Sequence, residues 1–139
     1  MIMITVIIQG ICFDWIVQKT SWISGHYNAW LGKRLQKAMS VTIIVTMTFC
    51  VLIIEMWLWA VLYLFLECFR TVEQALYFSI SSFTTVGFGD LVLDEKWRLL
   101  SSIEAANGFL LFGWTTAFIF EIVRHFYNHK DFSPSNLKD

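Results

Sequence analysis

The sequence predicts an all-α integral membrane protein, and three observations support this fold class. Hydrophobic residues make up 57% of the 139 residues and charged residues only 15%, whereas a soluble domain carries about 25% charged residues. The mean hydropathy is +0.61. Three apolar stretches, at 1–17, 41–66 and 99–122, are long enough to cross a bilayer or to come close to doing so. Such a chain has too little polar surface for a soluble enzyme, a disordered protein or a nucleic-acid binder.

The first apolar stretch, residues 1–17, contains one charged residue, Asp14. Seventeen residues form about 25 Å of helix, which barely crosses the hydrocarbon core. No basic segment or small-residue cleavage site marks it as a secretory signal. We therefore predict a retained N-terminal transmembrane helix, with a half-inserted or interfacial segment as the alternative. The other two stretches predict an outer helix over 41–68 and an inner helix over 97–125.

Residues 18–40 show a different pattern. Apolar residues recur there at helical spacing from Trp22 to Ala38, and polar and basic residues fall mostly on the other side. This pattern is typical of an amphipathic helix that lies in the membrane interface. Because Gly25 and Gly32 weaken a helix, a polar loop with a few buried tryptophans is the alternative.

The segment between the outer and inner helices is predicted to enter the membrane and return. Thr71 and Gln74 form a capping-box pattern, which predicts a helix over 71–83. That helix is too short to cross a bilayer and too apolar for an exposed loop. The sequence TTVGFGD follows over residues 84–90, and its glycines end the helix.

The chemistry of TTVGFGD suits a bare cation. Gly87 and Gly89 permit positive φ angles and alternate with Val86 and Phe88, which allows successive carbonyls to aim at one axis. The Thr85 hydroxyl adds one more oxygen. Such a strand can replace the water shell of a cation inside a membrane protein. The C-terminal end of the preceding helix adds partial negative charge.

Residues 85–90 resemble the selectivity filter of potassium channels, and residues 41–127 resemble the span–pore loop–span unit of two-transmembrane-type potassium channels. The resemblance implies that K⁺, the permeant ion, is coordinated by five filter residues, Thr85, Val86, Gly87, Phe88 and Gly89. It places Asp90 at the pore mouth. It also implies that the chain assembles with itself as a homotetramer, with four filters around one pore.

The same resemblance assigns residues that support the filter. Tyr77 and Phe78 match an aromatic pair that packs behind it. Ser81 stands where some members place an acid that pairs with the filter aspartate, so one possible brace is expected to be missing. Phe88 replaces the commoner tyrosine, and a hydroxyl bond from that ring is therefore absent.

Several residues in the predicted spans have two interpretations. Gly108 and Gly113 match an inner-helix hinge or provide close helix packing. Glu55 is expected to face the protein interior and brace the pore-loop helix, or to be a protonated acid at a helix contact. Four inner-helix residues have a possible brace or cavity-lining role that depends on the helix rotation: Glu104, Asn107, Thr115 and Thr116.

The family places its filter toward the outside, which puts residues 18–40 and a short tail, 128–139, on the cytoplasmic side. Together with Arg124 at the end of the inner helix, these segments place seven basic residues inside and leave three outside, in agreement with the positive-inside rule. We expect a bacterial inner (plasma) membrane, since neither a large extracellular domain nor a disulfide framework is indicated. The three cysteines of the chain also lack the spacing of a metal site.

The sequence therefore predicts a potassium channel subunit that conducts passively through backbone oxygens. One alternative is a weakly selective monovalent cation channel on the same fold. Another is a non-conducting membrane adaptor or sensor that has kept a channel-like fold. An enzyme is not expected, because the sequence offers no catalytic triad, carboxylate pair or nucleotide-binding loop. Its expected partners are the lipid bilayer and further copies of itself, with no nucleic acid or small-molecule substrate.

Overall fold

The computed structural model describes residues 1–26 and 33–128, which form four α-helices and no strand. The helices are α1 (Ile2–His26), α2 (Lys33–Phe65), α3 (Val72–Phe83) and α4 (Arg98–Asn128). Three segments are long and apolar enough to cross a membrane: Ile2–Lys19, Ala38–Phe65 and Arg98–Arg124. The predicted all-helical fold, with a short helix between the second and third spans, is confirmed.

The two N-terminal helices are longer than the sequence predicts. No glycine or proline interrupts residues 18–24, and α1 continues to His26. Residues 33–40 are mostly good helix formers and belong to α2. Both ends of the expected interfacial helix thus continue longer helices, which differs from the prediction of a separate element. Its middle, residues 27–32, and the tail from residue 129 onward lie outside the described residues.

The three long helices form one bundle in which α1 and α4 run parallel. Thr5 of α1 is hydrogen-bonded to Asn107 of α4, and farther along both helices Phe13 stacks on Phe118 with ring centroids 3.9 Å apart. Ile44, near the start of α2, packs into a cluster with Phe13. Consequently α2 runs antiparallel to both, and residue 1 lies at the same end of the bundle as the start of α4.

The short helix α3 packs between α2 and α4 and closes the main hydrophobic core. Its first turn is capped by Thr71, whose hydroxyl oxygen accepts a hydrogen bond from the Gln74 N–H at 3.2 Å. Farther along, Phe78 meets Tyr63 of α2 edge to face, with centroids 5.2 Å apart. The core is completed by buried residues of all three helices, among them Leu52, Met56, Trp59, Ala75, Phe83 and Leu111.

Gly108 is the point where α4 touches the end of α3. A Cβ atom at this position would lie 2.0 Å from the Phe83 carbonyl oxygen, so only glycine allows the two backbones to meet here. The geometry therefore favours close packing over a hinge at Gly108. At Gly113 no other described residue, apart from the adjoining turns of α4 itself, comes within 4 Å of an added Cβ, and a hinge there stays a prediction.

Replacing Gly108 by alanine should destabilise the protein, because the added methyl group overlaps the Phe83 carbonyl. Overpacking of this kind costs about 1–3 kcal/mol. The matched variant Gly113→Ala meets open space and should be at least as stable as the original chain, since alanine favours a helix. Thermal denaturation of the purified protein in detergent measures both. Equal melting temperatures for the two variants would contradict this account of Gly108.

Candidate functional site

The candidate site begins where α3 ends. The Thr84 N–H still bonds to the Ile80 carbonyl at 3.0 Å, and the Thr85 N–H bonds to the Ser82 carbonyl at 2.9 Å. Residues 86–90 then leave the helix as irregular backbone. This segment therefore starts at the helix terminus where partial negative charge accumulates, a location that favours a cation.

The backbone of the TTVGFGD segment alternates in handedness. Thr85, Gly87 and Gly89 have φ angles of 61°, 57° and 79°, all in the left-handed region that non-glycine residues rarely enter. Alternate left-handed residues are the geometry that turns successive carbonyls to one side, which a regular strand does not do. Val86 and Phe88 are 55% and 69% exposed in the single chain, so one side of the segment is open.

Ser81 holds the middle of this segment in place. Its backbone carbonyl accepts a hydrogen bond from the Gly87 N–H at 3.1 Å, and its buried hydroxyl oxygen accepts one from the Phe88 N–H at 3.3 Å. The sequence led us to expect a missing brace here, because serine replaces an acid. Asp90 is instead hydrogen-bonded to Tyr77, and Ser81 binds the backbone of the segment at Gly87 and Phe88, a contact that the sequence did not predict.

Tyr77 holds the outer end of the segment. Its hydroxyl donates a hydrogen bond to Asp90 Oδ2 at 2.7 Å, and this bond raises the pKa of the Tyr77 phenol above its usual value. The Tyr77 ring also lies nearly parallel to the Phe88 ring, with centroids 6.3 Å apart. Tyr77 thus contacts both Phe88 and Asp90. Phe78, the other expected support, packs into the core against Tyr63 and Phe69.

Glu104 connects the three helices behind the segment. This fully buried carboxyl of α4 accepts a hydrogen bond from the Tyr63 hydroxyl of α2 at 2.5 Å. Its other oxygen lies 2.6 Å from the Ser79 hydroxyl oxygen of α3, which is also 2.8 Å from the Met56 carbonyl. Of the two roles expected for Glu104, the structure favours a brace over lining a cavity.

The number of protons available for these hydrogen bonds distinguishes a neutral Glu104 from an ionised one. Ser79 has one hydroxyl proton but two oxygens within reach, the Met56 carbonyl and Glu104. If Glu104 is the neutral acid, it donates to Ser79, Ser79 donates to Met56, and Tyr63 donates to Glu104. All three contacts are then hydrogen bonds. An ionised Glu104 would leave one of them without a proton.

Glu55 is also fully buried, as expected for a residue that faces the protein interior. Neither of its carboxyl oxygens has a hydrogen-bond partner among the described residues. The hydrogen-bonded brace comes from Glu104 instead. The arrangement fits the alternative interpretation, an uncharged acid accommodated where helices meet, because an ionised carboxylate in this position would be strongly disfavoured.

The other polar residues of the inner helix lie on two faces of α4, one that packs against α1 and one that is exposed. Asn107 and Thr115 are buried against α1, where they contact Thr5 and Gln9, so they do not line an open surface. Thr116 is exposed and donates to the carbonyl of Phe112 in its own helix at 2.8 Å. A cavity-lining role stays a prediction for Thr116 only.

Sequence reasoning missed four residues of this region: Thr5, Gln9, Tyr63 and Ser79. Thr5 and Gln9 are polar residues four apart in an otherwise apolar stretch, which is a detectable signal for one buried helix face. Ser79 and Tyr63 carry no such signal, because hydroxyl side chains are common in membrane helices.

Together these elements define a pore-loop membrane protein, with two spans that flank a short helix and an irregular backbone segment. The profile of a protein family described as "Ion channel" matches residues 41–125, from the second span through the last. The chain therefore belongs to this ion channel family, which confirms the pore-loop family that the sequence resembles. No curated protein matches the chain, and no solved structure does.

Replacing Glu104 separates its shape from its charge. Glu104→Gln keeps one acceptor for Tyr63 and one donor for Ser79, so we expect near-normal stability. Glu104→Leu leaves the buried Tyr63 hydroxyl without its acceptor, while Ser79 keeps only the Met56 carbonyl, and an unsatisfied buried group costs about 1–3 kcal/mol. Thermal denaturation in detergent tests this order. If Glu104→Gln is as unstable as Glu104→Leu, Glu104 does not act as the neutral acid.

Proposed function

We propose that the protein is the subunit of a homotetrameric, potassium-selective channel that conducts K⁺ passively. The observation that carries this proposal is the alternating backbone of Thr85, Gly87 and Gly89 at the C-terminal end of α3. Carbonyl oxygens from such a segment can replace the water around K⁺, while the helix end contributes a favourable potential. Conduction then needs no catalytic group.

The open side of the segment supports self-assembly. Irregular backbone at membrane depth is tolerated only where it is covered by protein or lines a water-filled cavity. In the single chain that side is uncovered at Val86 and Phe88, and α3 and α4 also carry exposed apolar side chains, including Val72, Ile80, Phe109 and Leu110. Identical subunits in a closed ring would cover this surface, and the resemblance to two-transmembrane channels gives four subunits.

Two hydrogen-bonded contacts favour potassium selectivity over the weakly selective alternative. Ser81 binds the backbone at Gly87 and Phe88, and Tyr77 binds Asp90. A segment anchored at its middle and at its outer end keeps the spacing of its oxygens when a smaller ion enters. We therefore infer that Na⁺ is coordinated less well than K⁺.

The helix directions support the proposed orientation. Since α1 and α4 run parallel and α2 runs antiparallel, the ends of α1 and α4 and the start of α2 lie on one side of the bundle, opposite the filter. The basic residues at these helix ends include Lys19, Lys33 and Arg124. We propose that this side is cytoplasmic and that the filter faces outward, in a bacterial inner membrane.

Ion flux from purified protein in liposomes tests the function. We expect K⁺ efflux that barium blocks, and loss of efflux in Gly87→Ala, because alanine is strained at the φ angle of 57°. The matched control is Gly10→Ala, where the added Cβ makes an ordinary 3.5 Å contact with Trp114. Reversal potentials under opposed K⁺ and Na⁺ gradients distinguish a selective from a weakly selective channel. An absence of any flux would favour the adaptor.

The acidic residues around the filter generate a second prediction. All of them are exposed and lie in or beside the loops that flank α3: Glu67, Glu73, Asp90, Asp94 and Glu95. Their summed charge should concentrate cations at the pore mouth. Neutralising Asp94 and Glu95 should lower the single-channel conductance roughly twofold at about 0.01 M salt, where the Debye length is about 30 Å. At 1 M salt the conductance should be unchanged, and an equal reduction at both concentrations would contradict this mechanism.

A further inference from the structure

The first helix lies outside the residues that match the ion channel family, yet it makes specific polar contacts with α4. The match covers residues 41–125, whereas α1 ends at His26. Fully buried Thr5 and Gln9 face α4 from α1. A helix that only anchored the chain in lipid would not need two polar residues there, because lipid-facing positions favour apolar side chains.

Gln9 directs both amide hydrogens to α4. Its Nε2 atom donates to the Leu111 carbonyl at 3.1 Å and to the Thr115 hydroxyl oxygen at 2.7 Å. Its own amide oxygen has no hydrogen-bond partner among the described residues. The Gln9 side chain is thus oriented entirely by α4, and both bonds require α4 to keep its present rotation about its axis.

Two further contacts lie on either side of Gln9. Toward the filter, Thr5 and Asn107 are joined by a hydrogen bond of 3.0 Å from the Asn107 amide. Toward the other end, Phe13 stacks on Phe118 at 3.9 Å. The contacts on α4 therefore extend from Asn107 to Phe118, and the stretch between them includes both inner-helix glycines.

Because lipid surrounds the helices, the contacts between α1 and α4 favour the described position of α4. The side chains of Asn107 and Thr115 face α1, and the described structure gives each a partner there, Thr5 and Gln9. If α4 rotated, or bent at Gly113, these polar groups would separate from α1 into a hydrocarbon environment that offers no replacement. The Thr115 hydroxyl could still bond to a carbonyl of its own helix, as Thr116 does, but the Asn107 and Gln9 amides would lose their partners, so each such movement is opposed by the loss of interhelical hydrogen bonds.

We propose that Thr5 and Gln9 are positioning residues through which α1 holds α4 in the described conformation and so sets the balance between open and closed pores. The inference rests on the proposed channel function. It assigns to α1 a role in gating within its own subunit, in addition to membrane anchoring. The filter itself is not involved, so ion selectivity and single-channel conductance should not depend on these contacts.

Single-channel recording of Gln9→Leu and Thr115→Val in bilayers tests the proposal. Each variant should change the ratio of open to closed time by about three- to fifteenfold, the factor expected from interhelical hydrogen bonds in membranes. Because both remove the same bond, the double variant should change the ratio no more than the larger single effect. Reversal potential and conductance should stay unchanged.

Two matched variants serve as controls. Thr115→Ser keeps the hydroxyl that Gln9 binds, and its open-to-closed ratio should remain within about twofold of the original. Thr46→Val removes an exposed hydroxyl of α2 that, among the described residues, bonds to the Thr42 carbonyl of its own helix at 2.9 Å, and it should have no effect. Unchanged ratios in Gln9→Leu and Thr115→Val, or effects that multiply in the double variant, would overturn the proposal.

A second measurement does not depend on conduction. A nitroxide label at Phe120→Cys, an exposed site on α4, is introduced after Cys12, Cys50 and Cys68 are replaced by serine. We expect Gln9→Leu to change the mobility of this label in liposomes, while Thr46→Val leaves it unchanged. An identical spectrum in both would overturn the proposal. If wild-type protein shows no flux but the label responds, the proposed channel function fails and the docking of α1 on α4 stands.

Discussion

A bilayer offers no hydrogen bonds, so the polar groups of this chain must find partners within the protein. The Glu104 network shows how the constraint shapes the fold. One carboxyl on α4 brings hydroxyl groups of α2 and α3 into a single hydrogen-bonded cluster, directly behind the segment that leaves α3. Since a neutral acid completes every contact in the cluster, its position fixes the three helices relative to one another without an ion pair. The backbone segment that leaves α3 is thus supported from behind by all three helices.

The same constraint explains why the short helix α3 makes so many of the contacts that position the candidate site. Its capped start fixes where it begins, Ser79 binds it to α4, and Ser81 binds the departing backbone. Close contact with Gly108 then leaves no room for the end of α3 to shift. Each turn of the helix therefore has at least one restraint, which fixes the position from which the left-handed residues begin. Strain in the backbone at Thr85 is sustained by this support.

Sequence patterns predicted the fold well because they report local properties: length, hydropathy, capping and glycine spacing. The bounds of α3 and the three spans could be derived in this way. The rotations of the helices could not be derived, because a carboxyl group in an apolar stretch gives the same sequence pattern in different surroundings. Glu104 binds a neighbouring helix, whereas Glu55 has no hydrogen-bond partner among the described residues. The continuous helices at residues 18–26 and 33–40 were also missed, because amphipathic spacing does not show where one helix ends and the next begins.

The uncovered side of the filter has a genetic consequence. In the proposed tetramer every subunit contributes one wall of a shared passage, so a single defective copy damages the whole ring. When normal and filter-mutant chains are made together in equal amounts, only a small minority of rings contain four normal subunits. A lesion at Gly87 would therefore be dominant, whereas a change that prevents the chain from folding would remove the faulty copy before it joins a ring and would be recessive.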